Sequence, residues 1–208
     1  MHDATYTPPA SLDALRRRSL NIGVIGLLAA AAGALLSPGQ FFHSYLLAYL
    51  LWLGAALGGL ALTMLQHLSG GGWGVVLRRI FEAAARTLPW MALFFVPLLF
   101  GLRGLYPWAD AATVAGDALL QEKTLYLNVP FFLARAAFCF AVWIGLALAL
   151  TRWSAEQDRT GDPALAIRMR NTSAIGMVLY FATMTMAAVD WAMSLEPHWF
   201  STMYGFLF

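Results

Sequence analysis

Two charged side chains interrupt otherwise apolar stretches of the sequence, and these two are the residues best placed to do chemistry there. Arg135 lies five residues after the start of one stretch, at Pro130, and Asp190 lies five residues before the end of another, at Leu195. Five residues of helix rise about 7.5 Å. If the two stretches run antiparallel, both charges lie at the same depth from one end. Because charges are costly in an apolar environment, we expect Arg135 and Asp190 to face each other.

Other polar residues extend this pair toward one end of the chain's apolar stretches. Glu196 and His198 follow Asp190 closely, and His43 is predicted at the same level. A histidine with its ordinary pKa of about 6.5 exchanges protons near neutral pH, and a carboxylate in an apolar site can be shifted toward the same range. We therefore predict that these five residues form a proton-handling site, which is the kind of site that quinol oxidation requires. Candidate apolar lining residues for such a site are Trp191, Met193, Phe131 and Phe132.

A simpler interpretation remains open for the same residues. Arg135 and Asp190 can form an ion pair that only stabilises the fold, and the segment from Glu196 to His198 can be a turn that ends a helix. At the opposite end of the apolar stretches, His67 and Arg86 are the candidates for an inner-side proton path.

The sequence offers little to hold a redox cofactor. Cys139 is the single cysteine, so the chain has no CxxC motif and no iron–sulfur or zinc ligand set. His43 and His67 are 24 residues apart, about 36 Å along a helix, and so cannot share a haem. His43 and His198 leave an outer haem as an alternative. We predict no metal site and no redox cofactor bound by this chain.

The composition indicates a membrane protein. Of the 208 residues, 60% are hydrophobic and 12% are charged, against roughly half and a quarter in soluble domains, and the mean hydropathy is +0.65. This argues against a soluble enzyme, and no feature implies nucleic-acid binding. We predict an all-α, polytopic transmembrane bundle, with residues 1–19 as a cytoplasmic N-terminal tail and residues 20–208 as the bundle. The five predicted spans, each long enough to cross a bilayer, are about Leu20–Leu36, Ser44–Leu65, Thr87–Leu102, Pro130–Leu150 and Ser173–Leu195.

The loop arginines predict the orientation of these spans. They cluster in three regions on one side, which the positive-inside rule places in the cytoplasm together with the N-terminus. This predicts a multi-pass protein of the bacterial cytoplasmic (inner) membrane. Tyr106 and Trp108 on the other side are predicted to anchor the bundle at the membrane surface. The first span, preceded by Arg16–Arg18, also resembles a secretory signal, although the alternating loop charges favour its retention.

Local features predict how the helices pack. Gly54 and Gly58 form a GxxxG pattern with Gly59 adjacent, which predicts close helix contacts. Pro89 and Pro97 predict kinks in the third span. The polar stretch 152–170 is predicted to be a connector. A further apolar run begins at Phe200 and has the length of about a third of a span, so we expect the sequence to be a fragment of a larger subunit.

Several segments of the sequence closely resemble the ActF membrane subunit of alternative complex III, a bacterial quinol:electron-acceptor oxidoreductase. The resemblance runs from about Phe41 to Phe208. The longest matching segment contains Asp190, Glu196 and His198, whereas the choice of Arg135 and His43 depends on the depth argument alone. The matching segments include Ser44–Tyr49, Gln66–Gly71, Arg86–Pro89, Leu105–Trp108, Tyr126–Phe132, Glu156–Pro163 and Asp190–Gly205.

This resemblance implies a subunit related to the NrfD-like, or polysulfide-reductase-type, membrane proteins, which have about ten spans. It implies as partners a paralogous NrfD-like membrane subunit, an iron–sulfur subunit and c-type haem subunits, with haem c and iron–sulfur clusters in those partners, and contact with membrane lipid and the quinone pool. In such complexes the paralogous partner is the better-supported quinol site.

We therefore expect an integral membrane subunit of a respiratory complex that supports quinol oxidation, proton transfer or both, and that is not catalytic alone. Two alternatives remain open. One is a self-sufficient transporter or permease, and the other is a scaffold for assembly of the same complex.

Overall fold

A computed structural model describes residues 10–70, 72–74 and 76–206, and every regular element within them is a helix. Five helical segments in this part of the chain are long and apolar enough to cross a membrane: Leu12–Leu36, Pro38–Ser69, Arg78–Phe100, Val129–Thr160 and Pro163–Leu195. The predicted all-α bundle class is confirmed. By length and composition of its helices, the chain is a multi-pass membrane protein.

The chain divides into two compact units, residues 1–44 and 45–208. In the first, helix α1 spans Ala10–Leu36, so the predicted end of the tail at residue 19 lies inside a helix. Residues 1–9 of that tail lie outside the described part. None of the most apolar window of α1 is buried, and Ile22 and Ile25 are 71% and 66% exposed. An apolar helix of this kind is suited to a lipid environment.

Helix α2 spans Pro38–Ser69, and one of its glycines makes a close helix contact. A methyl group added at Gly59 would lie 2.6 Å from Ala84 Cβ and 2.9 Å from the Phe81 carbonyl oxygen. Gly54 and Gly58, in contrast, have nothing within 4 Å of such a methyl group. The predicted close helix contact is therefore made by Gly59, and not by Gly54 or Gly58. The neighbouring helix packs against the face that carries Gly59, which lies one position, or about 100° of helix, away from Gly58.

The third span consists of two helices, α3 (Arg78–Ala85) and α4 (Leu88–Phe100), separated at Arg86 and Thr87. Pro89 lies at the second position of α4 rather than within a kinked helix. A proline is tolerated there because the first amides of a helix have no intrahelical acceptor. The third span is thus interrupted just before Pro89, and Pro97 lies inside α4.

Helices α8 (Val129–Thr160) and α9 (Pro163–Trp191) are the longest helices of the second unit and are joined by only two residues. Gly161 ends α8 with a positive φ of 68°, a conformation suited to glycine. Asp162 then caps α9 by accepting a hydrogen bond from the Ala164 amide at 2.8 Å. The predicted connector 152–170 is therefore mostly helical, because its arginine, glutamate and glutamine residues favour helix.

Because their connection is so short, α8 and α9 run antiparallel and pack along their length. The indole Nε1 of Trp143 donates to Thr183 Oγ1 at 2.8 Å across this contact. The Thr183 hydroxyl in turn donates to the Leu179 carbonyl at 2.7 Å. We call the end of the pair near Gly161 the turn end, and the opposite end the cap end.

The cap end is named for the cap segment, residues 102–128, which joins α4 to α8. Its helices are α5 (Leu102–Leu105), α6 (Ala111–Ala115) and α7 (Ala118–Lys123), with a 3-10 turn at Pro107–Ala109. Asp110 and Asp117 cap α6 and α7 with their carboxylates. Tyr106 and Trp108 are only 2% and 4% exposed, so their predicted role as anchors at the membrane surface is wrong. They hold the cap segment against the helices instead.

Candidate functional site

Arg135 and Asp190 form a buried ion pair at the cap end, as the depth argument predicts. Arg135 lies in the second turn of α8 and Asp190 in the last turn of α9, and they are 5% and 1% exposed. Arg135 Nε donates to Asp190 Oδ2 at 2.6 Å, and Nη2 donates to Oδ1 at 3.1 Å. This two-point geometry is the strong form of an arginine–carboxylate contact.

The remaining surface of the Arg135 guanidinium is covered by one residue of the cap segment, Tyr126, and one at the start of α8, Phe131. Its Nη1 donates to the Tyr126 carbonyl oxygen at 3.0 Å. Its carbon Cζ lies 3.8 Å from the ring centre of Tyr126 and 4.3 Å from that of Phe131. A cation over aromatic faces is stabilised electrostatically. Phe131 therefore contacts the ion pair and does not line a slot as predicted.

The end of α9 is fixed by side chains that take up its last carbonyl groups. Ser194 Oγ donates to the Asp190 carbonyl oxygen at 2.5 Å and accepts from Trp108 Nε1 at 3.0 Å. Tyr106 donates its hydroxyl to the Trp191 carbonyl oxygen at 2.9 Å. Carbonyls at a helix end lack intrahelical donors, so Ser194, just after α9, and Tyr106 of the cap segment supply them. Asp190 is thereby held in place through both its side chain and its backbone.

An aromatic cluster lies next to the ion pair. Trp191 is 1% exposed, and its ring centre lies 4.8 Å from that of Phe95 and 5.5 Å from that of Phe140. Phe132 is also 1% exposed and packs against Tyr106 and Trp108. Trp191 and Phe132 are thus core residues, and the prediction that they line a ligand slot is wrong.

A pocket of about 230 Å³ opens between the cap segment and the end of α9. Two of its lining residues, Tyr126 and Ser194, also contact the ion pair: the Tyr126 ring stacks on Arg135, and Ser194 bonds to the Asp190 backbone. Of the four predicted lining residues, only Met193 lines this pocket. Its full lining is Lys123, Tyr126, Leu127, Val189, Met193, Ser194, Pro197, Trp199 and Phe200.

Two polar side chains of this pocket, Tyr126 and Lys123, differ in what they do: one stays protonated, and the other forms a hydrogen bond across the pocket edge. Burial, and after it the charge of the nearby Asp190 carboxylate, raises the pKa of Tyr126 to about 12. The Tyr126 phenol therefore stays protonated at neutral pH. Lys123 Nζ donates to the Pro197 carbonyl oxygen at 2.5 Å, which closes one edge of the pocket and joins the cap segment to the residues after α9.

Glu196 and His198 make no hydrogen bond to the ion pair within the described residues. His198 Nε2 pairs with Asp117 Oδ2 at 2.6 Å. Glu196 is exposed, and its side chain makes no hydrogen bond within the described residues. His43 belongs to the first unit, where its Nδ1 lies 2.9 Å from the Gly39 carbonyl oxygen. His198 therefore pairs with the cap segment, and its place in a single cluster with the ion pair stays a prediction.

At the turn end, the predicted residues His67 and Arg86 are not joined by a hydrogen bond. His67 is half-buried, with no partner for Nε2 among the described residues, and Arg86 is exposed at the end of α3. The polar centre there is Glu82, 4% exposed. It accepts from Arg78 Nε at 3.0 Å, from Arg79 Nη1 at 2.6 Å and from the Ser154 hydroxyl.

Glu82, Tyr126, Lys123 and Ser194 are the site residues that sequence reasoning missed. The four-residue spacing of Arg78 and Glu82 is a signal that indicates a helical ion pair. No sequence signal marks the other three residues, because the fold of the cap segment brings them together. Among the described residues, no three His, Cys, Asp or Glu side chains are grouped so as to hold a metal ion.

Comparison of this chain with models of protein families and with curated proteins gives no match to either.

Proposed function

We propose that this chain is a membrane subunit of a quinol-oxidising respiratory complex of the alternative complex III type, and that its pocket at the cap end binds a quinol head group. The observation that carries the proposal is the position of that pocket. It is apolar, and two of its lining residues touch the buried Arg135–Asp190 pair. The sequence resemblance described above supports the type of complex.

The pocket suits one substituted ring. Its volume of about 230 Å³ is below the roughly 300–1,000 Å³ of sites that enclose a drug-sized ligand. A quinol ring therefore fits, with its isoprenoid tail left in the lipid. Val189 and Met193 offer apolar contacts to the ring. Ser194 Oγ donates its proton to the Asp190 carbonyl and accepts from Trp108, which leaves one acceptor position for a quinol hydroxyl.

Oxidation of a quinol to a quinone releases two electrons and two protons. In our proposal the electrons pass to the iron–sulfur and c-type haem subunits that the resemblance implies. The protons leave through Glu196 and His198, which flank the pocket residue Pro197 and are exposed. The Arg135–Asp190 pair has a positioning role, because it fixes the Tyr126 ring and the end of α9.

The first test is purification of the tagged full-length chain from its native membranes, followed by a reduced-minus-oxidised spectrum and a quinol:cytochrome c assay. We expect c-type haem and activity to co-purify with the chain. A colourless protein without partners that takes up a substrate in liposomes would overturn the proposal in favour of a transporter.

A pair of variants then tests the pocket. Val189→Trp fills it from α9, whereas Val178→Trp adds the same bulk to the same helix at a position that is 71% exposed. We expect Val189→Trp to raise the KM for quinol about tenfold or more, corresponding to ~1.4 kcal/mol of binding. Val178→Trp should leave KM unchanged. An unchanged KM in Val189→Trp, in an assembled complex with its haem content intact, would assign the chain a scaffold role.

A further inference from the structure

A second cavity, of about 330 Å³, lies at the turn end between α3 and α8. It is lined by Arg79, Glu82, Ala83, Arg86, Thr151 and Ala155. It is unrelated to the quinol pocket, which lies at the opposite end of α8. About half of its surface is polar, whereas the quinol pocket is almost wholly apolar.

One of the cationic side chains around this cavity, Arg86, has no acidic partner among the described residues. Glu82 is neutralised by Arg78 and Arg79, and Arg79 also pairs with Asp158. Arg86 makes no side-chain hydrogen bond or ion pair within the described part of the chain, and its side chain is exposed. The cavity therefore presents an unneutralised guanidinium to whatever enters it, and the one carboxylate in its lining is already occupied.

The cavity also lies at a defined distance, along the axis of α8, from the cap end. Thr151 follows Val129, the first residue of α8, by 22 residues, which is about 33 Å along a helix. Since the hydrocarbon core of a bilayer is about 30 Å thick, a bundle whose cap end lies at one membrane surface places Thr151 and Arg86 at the other. Lipid head groups occupy that level.

The shape of the cavity suits a ligand that continues into lipid. Ala83 and Ala155 are small, exposed residues of its lining, so the cavity is open on its outer side. A basic cavity between transmembrane helices at the head-group level is the arrangement that binds anionic lipid head groups.

We propose that this cavity binds the phosphate head group of an anionic phospholipid, with Arg86 providing the charge and Arg79 forming the opposite wall. The inference does not depend on the quinol proposal, because it rests on other residues at the other end of the helices.

The test is native mass spectrometry of the detergent-purified full-length chain titrated with phosphatidylglycerol, with phosphatidylcholine as the zwitterionic comparison. Arg86→Ala removes the unpaired cation. Arg152→Ala is the matched control, because Arg152 is an exposed arginine next to Thr151 that does not line the cavity. We expect Arg86→Ala to weaken the tightest phosphatidylglycerol site about tenfold and Arg152→Ala to leave it unchanged.

A second variant tests the cavity without changing charge. Ala155→Leu fills it, and we expect the same loss of the tight phosphatidylglycerol site. Equal binding in the wild type, Arg86→Ala and Ala155→Leu would overturn the proposal. Displacement of the lipid by millimolar inorganic phosphate, or equal binding of phosphatidylcholine, would also overturn it, the first by indicating a site for a small anion.

Discussion

Asp190 receives both hydrogen bonds of its ion pair from one residue, Arg135, which lies 55 positions earlier on the neighbouring helix. Each of the two side chains is almost fully buried, so each is the counter-ion of the other within the described part of the bundle. The pair therefore fixes the sliding register of α8 against α9 at the cap end.

Removal of one member of this pair should destabilise the bundle strongly. We expect Arg135→Ala and Asp190→Ala each to lower the free energy of unfolding by about 3–5 kcal/mol, because each leaves an uncompensated buried charge. The double variant Arg135→Met/Asp190→Leu should lose much less, because both charges are gone. Thermal unfolding of the detergent-purified proteins measures this. Additive effects of the two changes would show that the residues act independently.

The close contact at Gly59 gives a second prediction. Gly59→Ala should destabilise the protein by about 1–3 kcal/mol, because the added methyl group meets the backbone of α3 and overpacks the contact. Gly58→Ala is the control on the same helix. It should be neutral, or stabilising by up to about 1 kcal/mol from higher helix propensity, since it meets nothing within 4 Å. The reverse order of stability would place α3 on the Gly58 face.

The hydroxyl of Tyr106 should contribute measurably to docking of the cap segment. Tyr106→Phe removes the hydrogen bond to the Trp191 carbonyl oxygen and should cost about 1 kcal/mol of stability. Tyr180→Phe is the control, because the Tyr180 ring is also buried but its hydroxyl makes no hydrogen bond within the described residues. Equal losses in the two variants, measured by thermal unfolding, would contradict a specific role for the Tyr106 hydroxyl.

The contact between Asp117 and His198 should weaken in acid. Partial burial alone would raise the pKa of the Asp117 carboxyl, but the hydrogen bond with His198 and those from the Leu120 and Leu119 amides outweigh it and hold that pKa below its ordinary value of 3.8. The stabilisation is therefore complete above the ordinary value and is lost as the pH falls through the lowered pKa.

Amide hydrogen exchange of Glu196, His198 and Trp199 measures this effect. After correction for the intrinsic rate, exchange in the wild type should accelerate as the pH falls below about 3.8. Asp117→Asn should exchange faster at every pH, without that step. Asp110, whose pKa is also lowered, chiefly by its hydrogen bond from the Thr113 hydroxyl, titrates in the same range. A step that persists in Asp117→Asn would therefore assign the effect to Asp110.

The sequence predicts part of this arrangement well for a simple physical reason. Arg135 and Asp190 lie on consecutive antiparallel helices, so counting residues from a shared end predicts their pairing. Counting does not predict the rotation of each helix about its axis. For this reason the sequence does not tell which of Gly54, Gly58 and Gly59 makes the close contact, which the structure assigns to Gly59.

The cap segment could not be predicted in the same way. Its helices are four to six residues long, too short to show the periodicity that identifies longer helices. The partner of His198 is Asp117, which lies in this segment, and so are Tyr126 and Lys123 of the pocket. Contacts made by residues of such a segment depend on how the segment folds, which the local sequence pattern does not reveal.

The contacts of the cap segment also constrain the order in which the protein is made. Tyr106 and Trp108 bind Trp191 and Ser194, which are 85 and 86 positions later in the chain. A ribosome releases the cap segment well before it has synthesised the end of α9. Between these two moments the side chains of Tyr106 and Trp108 lack their final partners, so the nascent chain exposes the face of the cap segment that later packs against α9. Completion of α9 is then the step that closes it, and a chain stalled before Trp191 is expected to be exposed to quality-control proteases at this segment.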